Sequence, residues 1–215
     1  MKNPISKNIF SRHEIKTKDD RANATHEGAL LLCIDLQPIF LKAMPDADRF
    51  ALRCQFAIEA ARLLGLPVAF TEQAPQKLGP TDPRFLKLAG KKPLQLAKTT
   101  FSALADDAIR ETLHEKQKIE HLILCGLETP ICIYQTALDA INSDLQITLL
   151  TDCLTARRPD DSRSALAALI RLGVHALPAE TIFYSIIATT AHPAFKPFTQ
   201  LVKKYTQKPM PLPIA

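Results

Sequence analysis

Six consecutive apolar residues, Ala29-Leu-Leu-Leu-Cys-Ile34, stop abruptly on the carboxylate of Asp35. A strand that is apolar at every position has to be covered on both faces, which is the situation of a parallel sheet packed between two helical layers. Similar short runs recur at Pro67–Thr71, Pro93–Ala97, His121–Cys125, Gln146–Leu150 and Val174–Leu177. Amphipathic stretches separate or follow them: Ala47–Leu64, with Phe50, Cys54, Ala57, Ile58 and Ala61 on one face, then Ser102–His114, Pro130–Asn142, Asp160–Leu172, Ala179–Ala188 and Phe195–Tyr205. The alternation predicts strand–helix–strand units and an α/β three-layer domain around a six-stranded, mostly parallel sheet. Residues 1–27 are polar and mixed in charge and are expected to form a loosely attached arm. The domain is expected over 28–206, with an extended tail over 207–215.

Composition narrows the functional classes. The 215 residues are 47% apolar and 23% charged, enough to bury the core of one domain and unlike a disordered chain. No apolar run approaches the ~20 residues of a membrane span, and the first thirty residues lack the apolar stretch of a secretory signal. A cytoplasmic protein with no membrane partner is expected. Five cysteines without a C-x-x-C pair argue against a disulfide framework, a zinc knuckle and a thioredoxin-type site. The net charge of +5 is scattered in short pairs, and with no tryptophan to stack on bases, no nucleic-acid partner is expected. Six glycines and no G-x-G-x-x-G after the first strand make a nucleotide-dependent oxidoreductase a weak reading.

Ligands of such sheets bind beyond the carboxyl ends of the strands, where strand order reverses. Asp35 closes the first strand, Lys98 follows the third, and Cys132 stands just after the fourth, in Gly126-Leu-Glu-Thr-Pro-Ile-Cys132. With the order 3-2-1-4-5-6, Asp35 and Cys132 flank the reversal and Lys98 reaches across. Thr129 suits an N-cap and Pro130 the first helical position, which puts Cys132 in the first turn, where the helix dipole and the Lys98 ammonium would lower its thiol pKa. Each residue alone has a bland reading: a capping aspartate, a solvated lysine, a thiol filling the core. At corresponding ends of three strands, they favour chemistry.

Further motifs accompany these residues: Leu32-Cys-Ile-Asp35-Leu-Gln37, Thr71-Glu-Gln73, Leu78-Gly-Pro-Thr81, Lys98-Thr-Thr-Phe-Ser102, Gln135-Thr-Ala-Leu-Asp139 and Thr151-Asp152. From about Leu30 to about Lys204 the chain resembles the isochorismatase-like cysteine hydrolases, a superfamily that includes nicotinamidases and N-carbamoylsarcosine amidases. The resemblance implies a Rossmann-like isochorismatase fold and a catalytic triad of Asp35, Lys98 and Cys132. It also implies a cis peptide at Leu127-Glu128 that aims the Glu128 and Cys132 backbone N–H groups at a substrate oxyanion, with Gln73 and Phe101 lining the pocket. Nicotinamidases carry metal-binding histidines where this chain has Thr71-Glu-Gln-Ala-Pro75, so no metal and no other cofactor is expected. The expected function is hydrolysis of a small amide or related carbonyl compound, at a C–N bond other than a peptide bond, through a thioester. The alternative is a catalytically silent binding or scaffold protein on the same fold. Homo-oligomerisation is expected from the family's habit, with the segment around Phe183, Phe195 and Phe198 either offering apolar surface for it or belonging to the core. The remaining cysteines on apolar strands read as inert core thiols.

Overall fold

The computed structural model describes residues 28–206, the side chains of residues 115 and 116 excepted. The expected arm and tail lie outside the described residues. Six parallel strands form one sheet in the order β3-β2-β1-β4-β5-β6, as expected. They are β1 (Ala29–Ile34), β2 (Val68–Gln73), β3 (Leu94–Lys98), β4 (His121–Leu127), β5 (Gln146–Thr155) and β6 (His175–Leu177).

The central strand shows why the layers form. Alternate side chains of β1 face opposite sides, so Ala29, Leu31 and Cys33 enter one apolar layer and Leu30, Leu32 and Ile34 the other. The first layer is closed by α2 (Ala47–Leu63), α4 (Pro83–Ala89), α8 (Ala179–Ile187) and α9 (Phe195–Thr206), and the second by α5 (Asp107–Glu111), α6 (Tyr134–Asn142) and α7 (Pro159–Arg171). Helix α2 carries its five expected apolar residues inward. It ends in a Schellman turn, with the Leu66 N–H on the Ala61 carbonyl and Gly65 at φ 75°.

Two features depart from the sequence reading, and a third decides between readings it left open. The Ser102–His114 helix starts only at Asp107, because the Asp106 carboxylate accepts the Ala108 and Ile109 N–H groups and fixes the first turn there. A π-helical turn, Thr112–Lys116, continues it. The loop after β1 and the proline-rich stretch after β2 hold three short helices, α1 (Pro38–Leu41), α3 (Pro75–Leu78) and α4. Finally, Phe183 and Phe198 are core residues and not free apolar surface. They pack with Phe56, 6.3 and 5.9 Å from its ring, beside Tyr205 at 5.6 Å, and Phe195 is partly buried against the same layer. Among the described residues, no helix is long and apolar enough to cross a membrane.

Candidate active site

The parallel register sets the ends of β1, β2, β3 and β4 side by side. Ile34 pairs with Thr71 and with Gly126, and Gln73 pairs with Lys98. Gly126, at φ 123°, is required here, since a Cβ at this position would come within 2.1 Å of the Ile34 carbonyl oxygen. Asp35 turns into the left-handed region at φ 54°, which aspartate tolerates better than most residues. Its backbone N–H donates to the Thr71 carbonyl at 3.2 Å, and Thr71 Oγ1 donates to Asp35 Oδ1 at 2.7 Å. One carboxylate oxygen is thereby occupied, and the other is turned to Lys98.

Lys98 Nζ lies 2.8 Å from Asp35 Oδ2 and 3.8 Å from Cys132 Sγ. The sequence placed three groups at three strand ends; the structure brings all three into one contact network. All three residues are buried, at 1% exposure for Asp35, 2% for Lys98 and 8% for Cys132. A buried ion pair of this kind costs desolvation that its attraction only partly offsets, which makes it a poor device for stability alone.

Cys132 lies in a π-helical turn, Thr129–Ile133, that precedes α6. Such turns are frequent at functional sites. Thr129 does not act as the expected N-cap. Glu128 holds that place, and the Thr129 hydroxyl donates instead to the Thr155 carbonyl at 3.1 Å, tying the turn to β5. The Leu127–Glu128 peptide is cis. The Glu128 carboxylate is held by Arg157, through Nε at 2.7 Å and the backbone N–H at 3.2 Å.

The thiol pKa runs opposite to the sequence expectation. Burial, followed by the negative charge of Asp35, pushes it up to about 12, and the Lys98 ammonium and a Glu128 backbone hydrogen bond only partly counter this. At neutral pH the resting site therefore holds a protonated thiol. A thiol in this state gives up its proton only as it reacts, to a base close to it.

Gln73 and Phe101 diverge. Phe101 is 56% exposed and lines a cavity of about 340 Å³ with Thr100, Ser102 and Gln135. Gln73 is engaged internally, with Oε1 2.6 Å from Lys98 Nζ and Nε2 donating to the Thr99 carbonyl at 2.9 Å. Two residues that sequence reasoning gave no role are Thr71, on the Asp35 carboxylate, and Gln37. The latter is fully buried and bonded to the backbone of Gln73. Their only signal was membership of the Asp35-Leu-Gln37 and Thr71-Glu-Gln73 motifs. Asp152, from Thr151-Asp152, serves the framework: it pairs with Arg53 at 2.6 Å and accepts the Ala179 N–H at 2.7 Å.

The stretch that would hold a metal in a nicotinamidase does not fit one here. Thr71 is used on Asp35, Glu72 on the Thr81 N–H and on Gln95, and Gln73 on Lys98. Among the described residues, no group of three His, Cys, Asp or Glu side chains is placed to bind a metal ion.

Residues 29–181 match the Isochorismatase domain. This chain belongs to the isochorismatase domain family. Isochorismatase domain-containing protein 2 of Pongo abelii is 37% identical over 175 residues, 81% of this chain and 82% of the relative. Among solved structures, the MAR1 ribonuclease of Caenorhabditis elegans superposes with a TM-score of 0.76 at 25% identity, covering 88% of this chain and 96% of that one. The YcaC gene product of Escherichia coli, an octameric hydrolase of unknown specificity, does so at 0.70 and 19%, covering 84% and 94%. The family and its hydrolase fold agree with the resemblance carried by the motifs.

Proposed function

We propose that the protein is a cysteine-dependent hydrolase of a small amide or related carbonyl compound. The observation that carries the proposal is the network of Asp35, Lys98 and Cys132, joined at 2.8 and 3.8 Å.

In the proposed reaction, Cys132 Sγ attacks the carbonyl carbon while its proton passes to Asp35. The carbonyl π pair moves onto oxygen, and the Glu128 and Cys132 backbone N–H groups receive that oxyanion. The oxyanion collapses to a thioester as the C–N bond breaks, and the amine leaves with the proton from Asp35. Asp35 then takes a proton from water, whose oxygen attacks the thioester; the C–S bond breaks to release the acid, and the proton returns from Asp35 to the departing sulfur. Lys98 holds the negative charge near Asp35 and the sulfur throughout. The high thiol pKa supports proton transfer during attack over a standing thiolate.

The test is a panel of small amides, esters and carbamoyl compounds assayed beside Cys132→Ala. RNA belongs in the panel because a structural neighbour bears the name ribonuclease. Hydrolysis of a small carbonyl compound that vanishes in Cys132→Ala is the expected result. Cleavage of any panel member that survives the substitution at full rate contradicts the proposal, and a panel with no turnover favours a binding or scaffold role. The proposal includes homo-oligomerisation, as in the octameric neighbour, which sedimentation of the purified chain checks.

A further inference from the structure

We infer that Gln73 is a positioning residue for Lys98, anchored by Gln37, and not a substrate contact. The inference rests on the reading of Asp35, Lys98 and Cys132 as a working triad.

Hydrogen-bond arithmetic carries it. A lysine ammonium has three N–H groups and no acceptor. Two of those at Lys98 are taken by Asp35 Oδ2 at 2.8 Å and Gln73 Oε1 at 2.6 Å, and the third has the Thr100 carbonyl at 3.3 Å and Cys132 Sγ at 3.8 Å within reach. Two short bonds to fixed acceptors restrict rotation about the Cε–Nζ bond, so the remaining proton is left to the Thr100 carbonyl and the sulfur. No N–H is left over to bind an anionic group of a substrate. Without Gln73, the ammonium would pivot on Asp35 alone.

The amide orientations are forced. Because Nζ only donates, the Gln73 oxygen must face it, which leaves Nε2 to donate to the Thr99 carbonyl. Gln37 is constrained in the same way. Its Oε1 accepts the Gln73 N–H at 2.7 Å, and its Nε2 donates to the Gln73 and Gly79 carbonyls at 3.1 and 2.6 Å. A fully buried amide with two of its three bonds directed at the backbone of Gln73, and the third at Gly79, fixes where the Gln73 side chain begins. The chain of support thus runs from Gln37 to Gln73 to Lys98 and then to the sulfur. Asp35 and Lys98 are the charged side chains whose fields act on Cys132.

The experiment is alkylation of Cys132 by iodoacetamide across pH 7–11 on the full chain, read by mass spectrometry of the Cys132 peptide, which requires no substrate; a shift in the midpoint is read as the change in rate on the rising limb below it, about tenfold per unit. Lys98→Met is the reference, and Gln73→Met and Gln73→Leu are the test variants, with thermal melting to confirm folding. Gln73→Met is expected to slow alkylation about 5- to 10-fold at pH 8.5, the effect of up to one unit in the midpoint, in the same direction as Lys98→Met and smaller. Gln37→Met is expected to follow Gln73→Met. If Lys98→Met moves the midpoint and neither Gln73 variant does, the positioning role is wrong. A Gln73 variant that raises KM for a panel substrate while leaving alkylation untouched would return Gln73 to the pocket lining. If Lys98→Met itself leaves the midpoint unmoved, the triad reading fails.

Discussion

The two faces of the sheet hold cysteines of opposite character. On one face Cys33, Cys54, Cys125 and Cys153 are fully buried, with Cys33 and Cys125 sulfurs 3.4 Å apart on neighbouring strands and Cys153 sharing its S–H with the Arg53 carbonyl at 3.3 Å. On the other, Cys132 keeps 8% exposure and faces a carboxylate and an ammonium. Burial pushes the pKa of Cys33 and Cys54 up just as it does that of Cys132. Burial therefore does not separate a working thiol from an inert one. What sets Cys132 apart is the ammonium beside it and the carboxylate that ammonium holds, a grouping found where strands end and not where they run.

The largest expected difference between the faces is in turnover. Cys132→Ala should reduce hydrolysis of an identified substrate by ~10⁴-fold or more, whereas Cys125→Ala should leave it unchanged, as steady-state kinetics on both variants will show. Asp35→Asn should cost ~10³-fold in turnover and yet make Cys132 easier to alkylate, because the charge that raises the thiol pKa is gone. A lower alkylation midpoint in this variant sharpens the contrast. A higher one means that Asp35 does not oppose the thiolate.

Stability should show the reverse order. Cys125 fills the junction of β1, β4 and α2, so Cys125→Ala should lose about 1–2 kcal/mol in denaturant unfolding, while Cys132→Ala at neutral pH should lose less. The smallest effect lies at alkaline pH. The folded Cys132 thiol holds its proton beyond the ordinary value of 9.0, so the native state binds more protons than the unfolded one above that pH. Its contribution is fully present below pH 9 and is lost as pH rises toward 12. Wild type should accordingly lose about 1 kcal/mol more than Cys132→Ala between pH 8 and 10. Parallel curves for the two proteins would contradict the raised pKa.

Most of the fold was legible because the central strand β1 is apolar along its length and its neighbours carry short apolar runs, a pattern few other structures require. The site was legible for a related reason: Asp35, Lys98 and Cys132 are the residues at which apolar runs give way to chemistry, and a 3-2-1-4-5-6 sheet turns those ends toward one another. What escaped was contact between residues far apart in sequence with no periodicity to betray it. Glu128 meets Arg157 across 29 positions, and Thr71 meets Asp35 across 36. The short helices after β1 and β2 are four to seven residues long and open on proline, so at sequence level they cannot be told from turns. The thiol pKa was misjudged because helix and lysine were weighed without the desolvation that only the packed structure reveals.

Acid-quenched mass spectrometry of the enzyme during turnover tests the central claim most directly. For a substrate found in the panel, the account predicts an acyl group on the Cys132 peptide of wild type, formed and discharged at the rate of turnover, and none on the Cys33, Cys54, Cys125 or Cys153 peptides. Steady hydrolysis with no acyl group ever detected on Cys132, persisting in Cys132→Ala, would contradict it.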